Sequence, residues 1–209
     1  ISGAGKGFCV GGDLRWAHSF PHGPAQAFHT LAARFHQAVL EIRRMSKPVI
    51  AAVNGIAAGD GFSLALACDF RVMAKSATLR QAYTSNGLCI DGGGTFMLPR
   101  LVGLARALEI AAFDKPISSE QALAWGLATN VVEAGRSVKE AVEMAHELAS
   151  GSLNSFGWSK QLLTDSFNIA FEAQIERERA GLRNCAAHPD GGEGLQAFVD
   201  KRKPVFNVK

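Results

Sequence analysis

Two glycine-rich stretches are the first places in this sequence where the backbone itself could do chemistry. Residues 3–14 read GAGKGFCVGGDL, and five glycines there let the chain approach a ligand closely. Gly59-Asp60-Gly61 follows a short apolar run and opens a helix of small residues. A helix N-terminus presents N–H groups that have no intrahelical acceptor, and its dipole favours negative charge. One such N–H near Asp60, joined by one near Gly12, would form an oxyanion hole. Glycine loops equally serve tight packing, and these residues alone leave both readings open. Two other motifs fail. Lys6 precedes Gly7, where a phosphate-cradling P-loop requires Ser or Thr. Gly61-Phe62-Ser63-Leu64-Ala65 looks like a nucleophile elbow, but its last glycine is missing and no acid–histidine order follows convincingly.

The elements around these loops follow from periodicity. Phe28, Leu31, Phe35, Val39, Ile42 and Met45 fall at helical spacing over 25–45, and Pro48 stops the run. Val49 to Val53 reads as a buried strand turned by Asn54-Gly55, and Asp69 to Met73 as a second. Residues 80–95 read as mixed loop and short helix, ending in Asp91-Gly92-Gly93-Gly94-Thr95. Helices are expected at 103–113 and 118–125, the latter opened by a Ser118-x-x-Gln121 capping box and closed at Gly126. Leu127 to Val132 is expected as a strand. Beyond Gly135 the pattern is wholly helical, at 137–149, 154–167, 169–186 and 191–201. Strands alternating with helices, then helices alone, predict an α/β core domain over 1–134 and a helical region over 135–209.

Composition narrows the function classes. A 209-residue chain with 47% hydrophobic and 20% charged residues suits a packed globular protein. Its net charge of +3, with no basic run longer than Lys201-Arg202-Lys203, argues against nucleic acid, yet suits a small phosphate-bearing ligand. The four cysteines show no paired spacing, and three lie in apolar stretches, the habit of reduced thiols in a cytoplasmic compartment. No apolar run reaches membrane-span length and no signal peptide is recognised. Because Ile1-Ser2-Gly3 reads as a strand end running into a loop, upstream residues are expected to be missing.

Five segments together resemble the crotonase (enoyl-CoA hydratase/isomerase) family. They are KGFCVGGDL (6–14), KPVIAAVNGIAAGDGFSLALACD (47–69), DGGGTFMLPRLVGLARALEI (91–110), ISSEQALAWGLATNVV (117–132) and EGLQAFVDKRKPVF (193–206), in the family's order. The resemblance implies a spiral of ββα units, a helical C-terminal trimerisation region, and a homotrimer or dimer of trimers. It also implies an acyl-CoA thioester substrate whose CoA belongs to the substrate, with no separate cofactor and no metal, and roughly fifty absent upstream residues. Gly12 and Asp60 match the two oxyanion N–H donors. Lys6, Asp13, Leu14 and Arg15 flank or share the stretch lining the adenosine end of CoA. Phe198 and Lys201 match C-terminal residues that approach a neighbouring subunit's CoA.

The departures narrow the chemistry. Where the family's hydratases carry two water-activating glutamates, this chain has Ser63 and Tyr83, neither of which can be a carboxylate base. Asp91 matches the aspartate of 1,2-epoxyphenylacetyl-CoA isomerase-like members, and so implies an isomerase shifting a double bond through an enolate. A partly desolvated pocket would raise its pKa. The same position carries the nucleophile of 4-chlorobenzoyl-CoA dehalogenases, partnered by a histidine that aligns with His36. A dehalogenase or thioester hydrolase, and a non-catalytic binding member, are therefore alternatives. More ordinary roles are a helix cap for Asp91, a satisfied histidine for His36, and a core aromatic or pocket wall for Tyr83. The Asp60 side chain is expected to cap its helix, leaving only its N–H to the hole.

Overall fold

The computed structural model describes residues 1–208, and its contacts divide the chain into two compact units. The first comprises Ile1–Arg43 and Val49–Val142, and the second Arg44–Pro48 and the chain from Glu143 onward.

In the first unit the backbone climbs as a spiral of ββα turns between two sheets. Strand β2 (Ile50–Val53) enters one sheet, Asn54-Gly55 turns the chain, β3 (Ile56–Ala58) enters the other, and α3 (Asp60–Ala67) follows. The next turn repeats this with β4 (Phe70–Ala74), β5 (Thr78–Arg80) and, after a connecting loop, α4 (Gly94–Phe113). One sheet orders β2-β4-β7, all parallel, with β7 at Asn130–Val132. The other orders β1-β3-β5-β6, with β1 at Gly7–Cys9 and an antiparallel β6 at Ile117–Ser118. Two short helices, α1 (Leu14–His18) and α5 (Ser119–Ala124), and the long α2 (Gly23–Arg44) complete the frame. This is the α/β spiral expected from the sequence.

The core explains these choices. Ile50–Val53 is buried throughout, so β2 reads as a continuous apolar run with no alternation, as a strand covered on both faces does. Helix α3 is buried almost all round, with Phe62, Ser63, Ala65, Leu66 and Ala67 sealed from solvent. Its small residues allow this: a Cβ on Gly61 would stand 2.1 Å from the Cys9 carbonyl oxygen. The Asn54 side chain ties the first glycine loop to the β2–β3 turn. Its Oδ1 accepts Gly3 N–H at 3.1 Å and its Nδ2 donates to the Gly5 and Gly7 carbonyls.

The second unit is helical, with α7 (Leu153–Asp165), α8 (Phe171–Ala187) and α9 (Pro189–Val199). Helix α6 (Ser137–Ser150) begins in the first unit. Among the described residues no helix is long and apolar enough to cross a membrane.

Several boundaries differ from expectation. Gly7–Cys9 is a strand and Leu14–His18 a helix, although glycine density predicted one continuous loop. Strands β3, β5 and β6, at two or three residues each, are too short to show periodicity. The helix expected at 103–113 is the second half of α4, whose two halves meet at Gly103 (φ 76°, ψ 160°), with Pro99 inside the first. The strand expected over 127–132 is confined to 130–132. The Ser118–Gln121 capping box is present in both directions.

Candidate active site

A cavity of about 350 Å³ opens in the first unit, the size of a small-molecule site. Both glycine loops reach it, through Gly11 and Gly12 on one side and Gly59 and Asp60 on the other. Helix α2 contributes Phe28, Leu31 and His36, and the loop after β5 contributes Tyr83, Leu88 and Asp91.

The glycine loops meet because neither can carry side chains there. Gly11 (φ +91°) lies against α3 so closely that a Cβ on it would stand 3.1 Å from the Asp60 nitrogen. Gly12 is similarly confined, its missing Cβ falling 2.7 Å from Leu31 and 3.3 Å from Asp60 Oδ2. Gly59, at φ 56°, precedes α3, so Asp60 is the first helical residue and its N–H has no intrahelical acceptor. Gly12 and Asp60 therefore line one largely apolar cavity, the Gly12 N–H turned to the Asp60 carboxyl and the Asp60 N–H at the start of α3, the kind of backbone donors from which an oxyanion hole is built.

Tyr83 lies at the centre of the polar groups. Its hydroxyl is 2.7 Å from Asp91 Oδ1, 3.0 Å from Asp60 Oδ1 and 3.3 Å from Ser63 Oγ. Burial, with the two neighbouring carboxyls, pushes its phenol pKa far up, so it remains a hydroxyl. Tyr83 follows a positive-φ residue, Ala82 (φ 51°), which lines the same cavity. Asp114 holds that turn by accepting Ala82 N–H at 2.8 Å while Arg80 grips its other oxygen. Burial works against the Asp114 charge, yet hydrogen bonds from Ser85, Ala82 and Arg80 keep its pKa below the ordinary carboxylate value.

The Asp91 carboxylate also faces His36, whose Nε2 lies 3.4 Å from Oδ2. The same Nε2 accepts Gly92 N–H at 3.2 Å, which requires a free lone pair. One nitrogen cannot both accept that N–H and donate to Asp91. Ser63 donates to the Asp91 backbone carbonyl at 2.7 Å and fixes the loop from beneath.

One expectation about side chains is corrected, and one of the more ordinary alternatives is set aside. The Asp60 carboxyl does not cap α3, whose N-cap is Gly59 without a side-chain bond; it turns toward Tyr83 and the Gly12 N–H. Asp91 does not cap α4, whose N-cap is Gly93. Among the remaining residues singled out by resemblance, Leu14 lines the cavity, whereas Lys6 and Arg15 are exposed and do not line it. Asp13 caps α1, its Oδ1 accepting the Arg15 and Trp16 N–H groups at 2.9 and 3.0 Å. Phe198 and Lys201 belong to the second unit, on α9 and the turn after it, and both are exposed. Cys89 and His29 also line the cavity and were not assigned a role from sequence; a lone helical histidine or loop cysteine carries no spacing signal. Among the described residues no cluster of three His, Cys, Asp or Glu side chains could hold a metal ion.

The spiral of ββα turns and a cavity edged by two backbone donors define a class of proteins built around an oxyanion hole. The enoyl-CoA hydratase/isomerase family model matches residues 1–209, and the chain belongs to that family. It is 37% identical to 1,2-epoxyphenylacetyl-CoA isomerase of Escherichia coli K12, covering 100% of this chain and 80% of that protein. It is 30% identical to 4-chlorobenzoyl coenzyme A dehalogenase-1 of an Arthrobacter species, covering 96% of this chain and 73% of that one. The crystal structure of an enoyl-CoA hydratase from Polaromonas sp. JS666 superposes with a TM-score of 0.93 at 36% identity, over 99% of this chain and 80% of that chain. The chain is thus a crotonase-family protein of the kind that handles acyl-CoA thioesters through an oxyanion hole.

Proposed function

We propose that this protein is an acyl-CoA isomerase that moves a double bond, or a ring-bearing unsaturation, through an enolate. The observation that carries this reading is the Asp91 carboxylate, held by Tyr83 at 2.7 Å and lining the same cavity as Gly12 and Asp60. The substrate thioester oxygen lies between the Gly12 and Asp60 N–H groups. Asp91 removes an α or γ proton, the C–H electron pair moves toward the carbonyl, and the oxygen becomes the enolate. Those N–H groups stabilise this charge more than the ground-state carbonyl, which lowers the barrier. The protonated Asp91 then returns the proton at another carbon.

Hydration is a minor activity on this reading, because Ser63 and Tyr83 stand where a hydratase needs two carboxylates. Leu14, Tyr83 and the Gly12–Arg15 stretch contact substrate, while Phe198 and Lys201 serve a neighbouring subunit's CoA in a trimer or dimer of trimers. CoA is part of the substrate, and proton transfer needs no further cofactor. Incubating a panel of enoyl-, dienoyl- and aryl-acyl-CoAs with the protein, with product detection, tests the assignment. Isomerised product with little hydration is expected; crotonyl-CoA hydration at the rate of a competent hydratase would contradict it.

A second reading is favoured by one contact, the 3.4 Å approach of His36 Nε2 to Asp91 Oδ2. There Asp91 attacks carbon as a nucleophile, expelling halide from an aryl carbon or CoA thiolate from the thioester, and His36 activates the water that hydrolyses the resulting Asp91 ester, as the 30% identity to a dehalogenase invites. An ester on Asp91, trapped and weighed by mass spectrometry, would establish that chemistry in place of proton transfer.

A further inference from the structure

The Tyr83 hydroxyl has one hydrogen and too many carboxyl neighbours. Asp91 Oδ1 at 2.7 Å and Asp60 Oδ1 at 3.0 Å both lie within hydrogen-bond range of it. A phenol can donate to only one of them. Given to Asp91, the shorter contact, the hydrogen leaves two oxygens facing each other across 3.0 Å at Asp60. Ser63 cannot supply the missing proton, because its own hydrogen goes to the Asp91 backbone carbonyl at 2.7 Å. The contact is favourable if Asp60 itself carries a proton and donates it to the Tyr83 oxygen.

We propose that Asp60 acts through its side chain as a neutral acid, so that Asp60 and Asp91 hold one carboxyl proton between them, bridged by the Tyr83 hydroxyl and its own hydrogen. This rests on the isomerase reading only in assigning the base to Asp91. The order is Asp60 O–H to Tyr83 oxygen, then Tyr83 O–H to the ionised Asp91. Two carboxylates on either side of one oxygen in an apolar cavity disfavour double ionisation, so one proton stays with the pair above the ordinary carboxylate range.

The groups facing Asp60 from every side agree with this. Tyr83, Asp91 and the Gly12 N–H act on its carboxyl directly, Ser63 of its own helix lies within 3.3 Å of the Tyr83 hydroxyl, and His29 and His36 of α2 and Cys89 line the same cavity. Among the described residues no Lys or Arg lines the cavity to neutralise a second negative charge. Burial raises the Asp60 pKa, Asp91 raises it further, and the Tyr83 and Gly12 contacts oppose without reversing the direction. Neutrality also serves the reaction. An ionised Asp60 would compete with the substrate oxygen for the Gly12 N–H and repel the forming enolate. Asp60 is therefore a positioning residue that keeps the hole uncharged and keeps the tyrosine hydrogen on the base.

A raised pKa leaves Asp60 protonated above its ordinary value of 3.8, and its function is lost as pH rises through the raised value. For a substrate turned over by the wild type, kcat/KM should fall on both sides of an optimum. The acid limb reports protonation of the base, and the alkaline limb reports ionisation of Asp60. Asp60→Asn cannot ionise but still offers an N–H to the Tyr83 oxygen, so it should keep the acid limb and lose the alkaline one. An alkaline limb that persists unchanged in Asp60→Asn would overturn the proposal. Infrared difference spectra of wild type provide a readout independent of turnover and of the variant's folding. A protonated-carboxyl C=O band should survive above the ordinary carboxylate range and disappear at higher pH. If all carboxyl bands are already ionised just above that ordinary range, shared protonation is wrong whatever reaction the protein performs. If the band is present but no isomerisation is found with any acyl-CoA, the proton-sharing pair stands and the isomerase reading fails.

Discussion

At the scale of single residues, Tyr83 organises the chemistry more than its type would announce. A tyrosine between a strand and a short helical turn reads as core or as pocket wall, and this one is both: buried, yet hydrogen-bonded to Asp91. Its role depends on Ala82 at φ 51° and on Asp114, some thirty positions later, and no local pattern connects those residues. Asp60 was misread for the same reason. An aspartate at the start of a helix suggests a cap, but the cap position falls on Gly59 and the carboxyl is drawn to partners distant in sequence. Tyr83→Phe keeps the ring that fills the core and removes the hydroxyl. The lost hydrogen bond to a charged group is worth about 1.5–3 kcal/mol, so kcat should fall by roughly ten- to a hundredfold. Steady-state kinetics beside a thermal melt would separate this from unfolding; a variant with unchanged kcat would remove Tyr83 from the mechanism.

At the scale of elements, the site exists because glycines let strands and helix termini approach one another. Helix α2, strand β2 and the Ser118–Gln121 capping box were legible because they rest on local rules: 3.6-residue periodicity, a buried apolar run, and a reciprocal cap. Strands β1, β3 and β5 were not, since three residues such as Ile56-Ala57-Ala58 carry too little pattern to separate from loop. Their existence follows from non-local pairing, with β3 held between β1 and β5. Gly61 marks the tightest crossing, where a Cβ would meet the Cys9 carbonyl oxygen at 2.1 Å, a backbone atom that cannot swing aside. Gly61→Ala should push β1 away from α3 and separate the Gly12 and Asp60 N–H groups. Overpacking of this sort costs about 1–3 kcal/mol. Chemical denaturation should show the loss of stability, and turnover should fall further than stability alone explains. Wild-type stability in this variant would mean that the crossing is looser than drawn.

At the scale of the whole molecule, the second unit leaves several large apolar side chains exposed. Leu182, Leu195, Phe198 and Val199 are all exposed, Phe198 to 83%. Exposed apolar side chains of this kind are candidates for an interaction surface, and closed symmetric assembly is the commonest state of soluble oligomers. The helical tail was plain in the sequence, but which side chains it leaves uncovered was not, because one amphipathic stripe serves a core and an interface alike. Light scattering of the full-length protein at micromolar concentration should give a trimer or a multiple of it, and Leu182→Asp should shift the population toward smaller species. A wild-type monomer under those conditions would contradict the assembly.

The central claim, that ionised Asp91 carries a proton from one carbon of an acyl-CoA to another, is tested most directly by hydrogen exchange in deuterated water. Wild type incubated with a bound enoyl- or dienoyl-CoA should place solvent deuterium at the α or γ carbon of the thioester. Asp91→Asn keeps the size of the side chain and an acceptor for Tyr83 but removes its basicity. Exchange and turnover should therefore fall together, on the order of the 10²–10⁴-fold typical of a lost general base, with substrate affinity little altered. Exchange that persists at the wild-type rate in Asp91→Asn would contradict the account and assign the proton to another group, with His36 and Tyr83 the next to test.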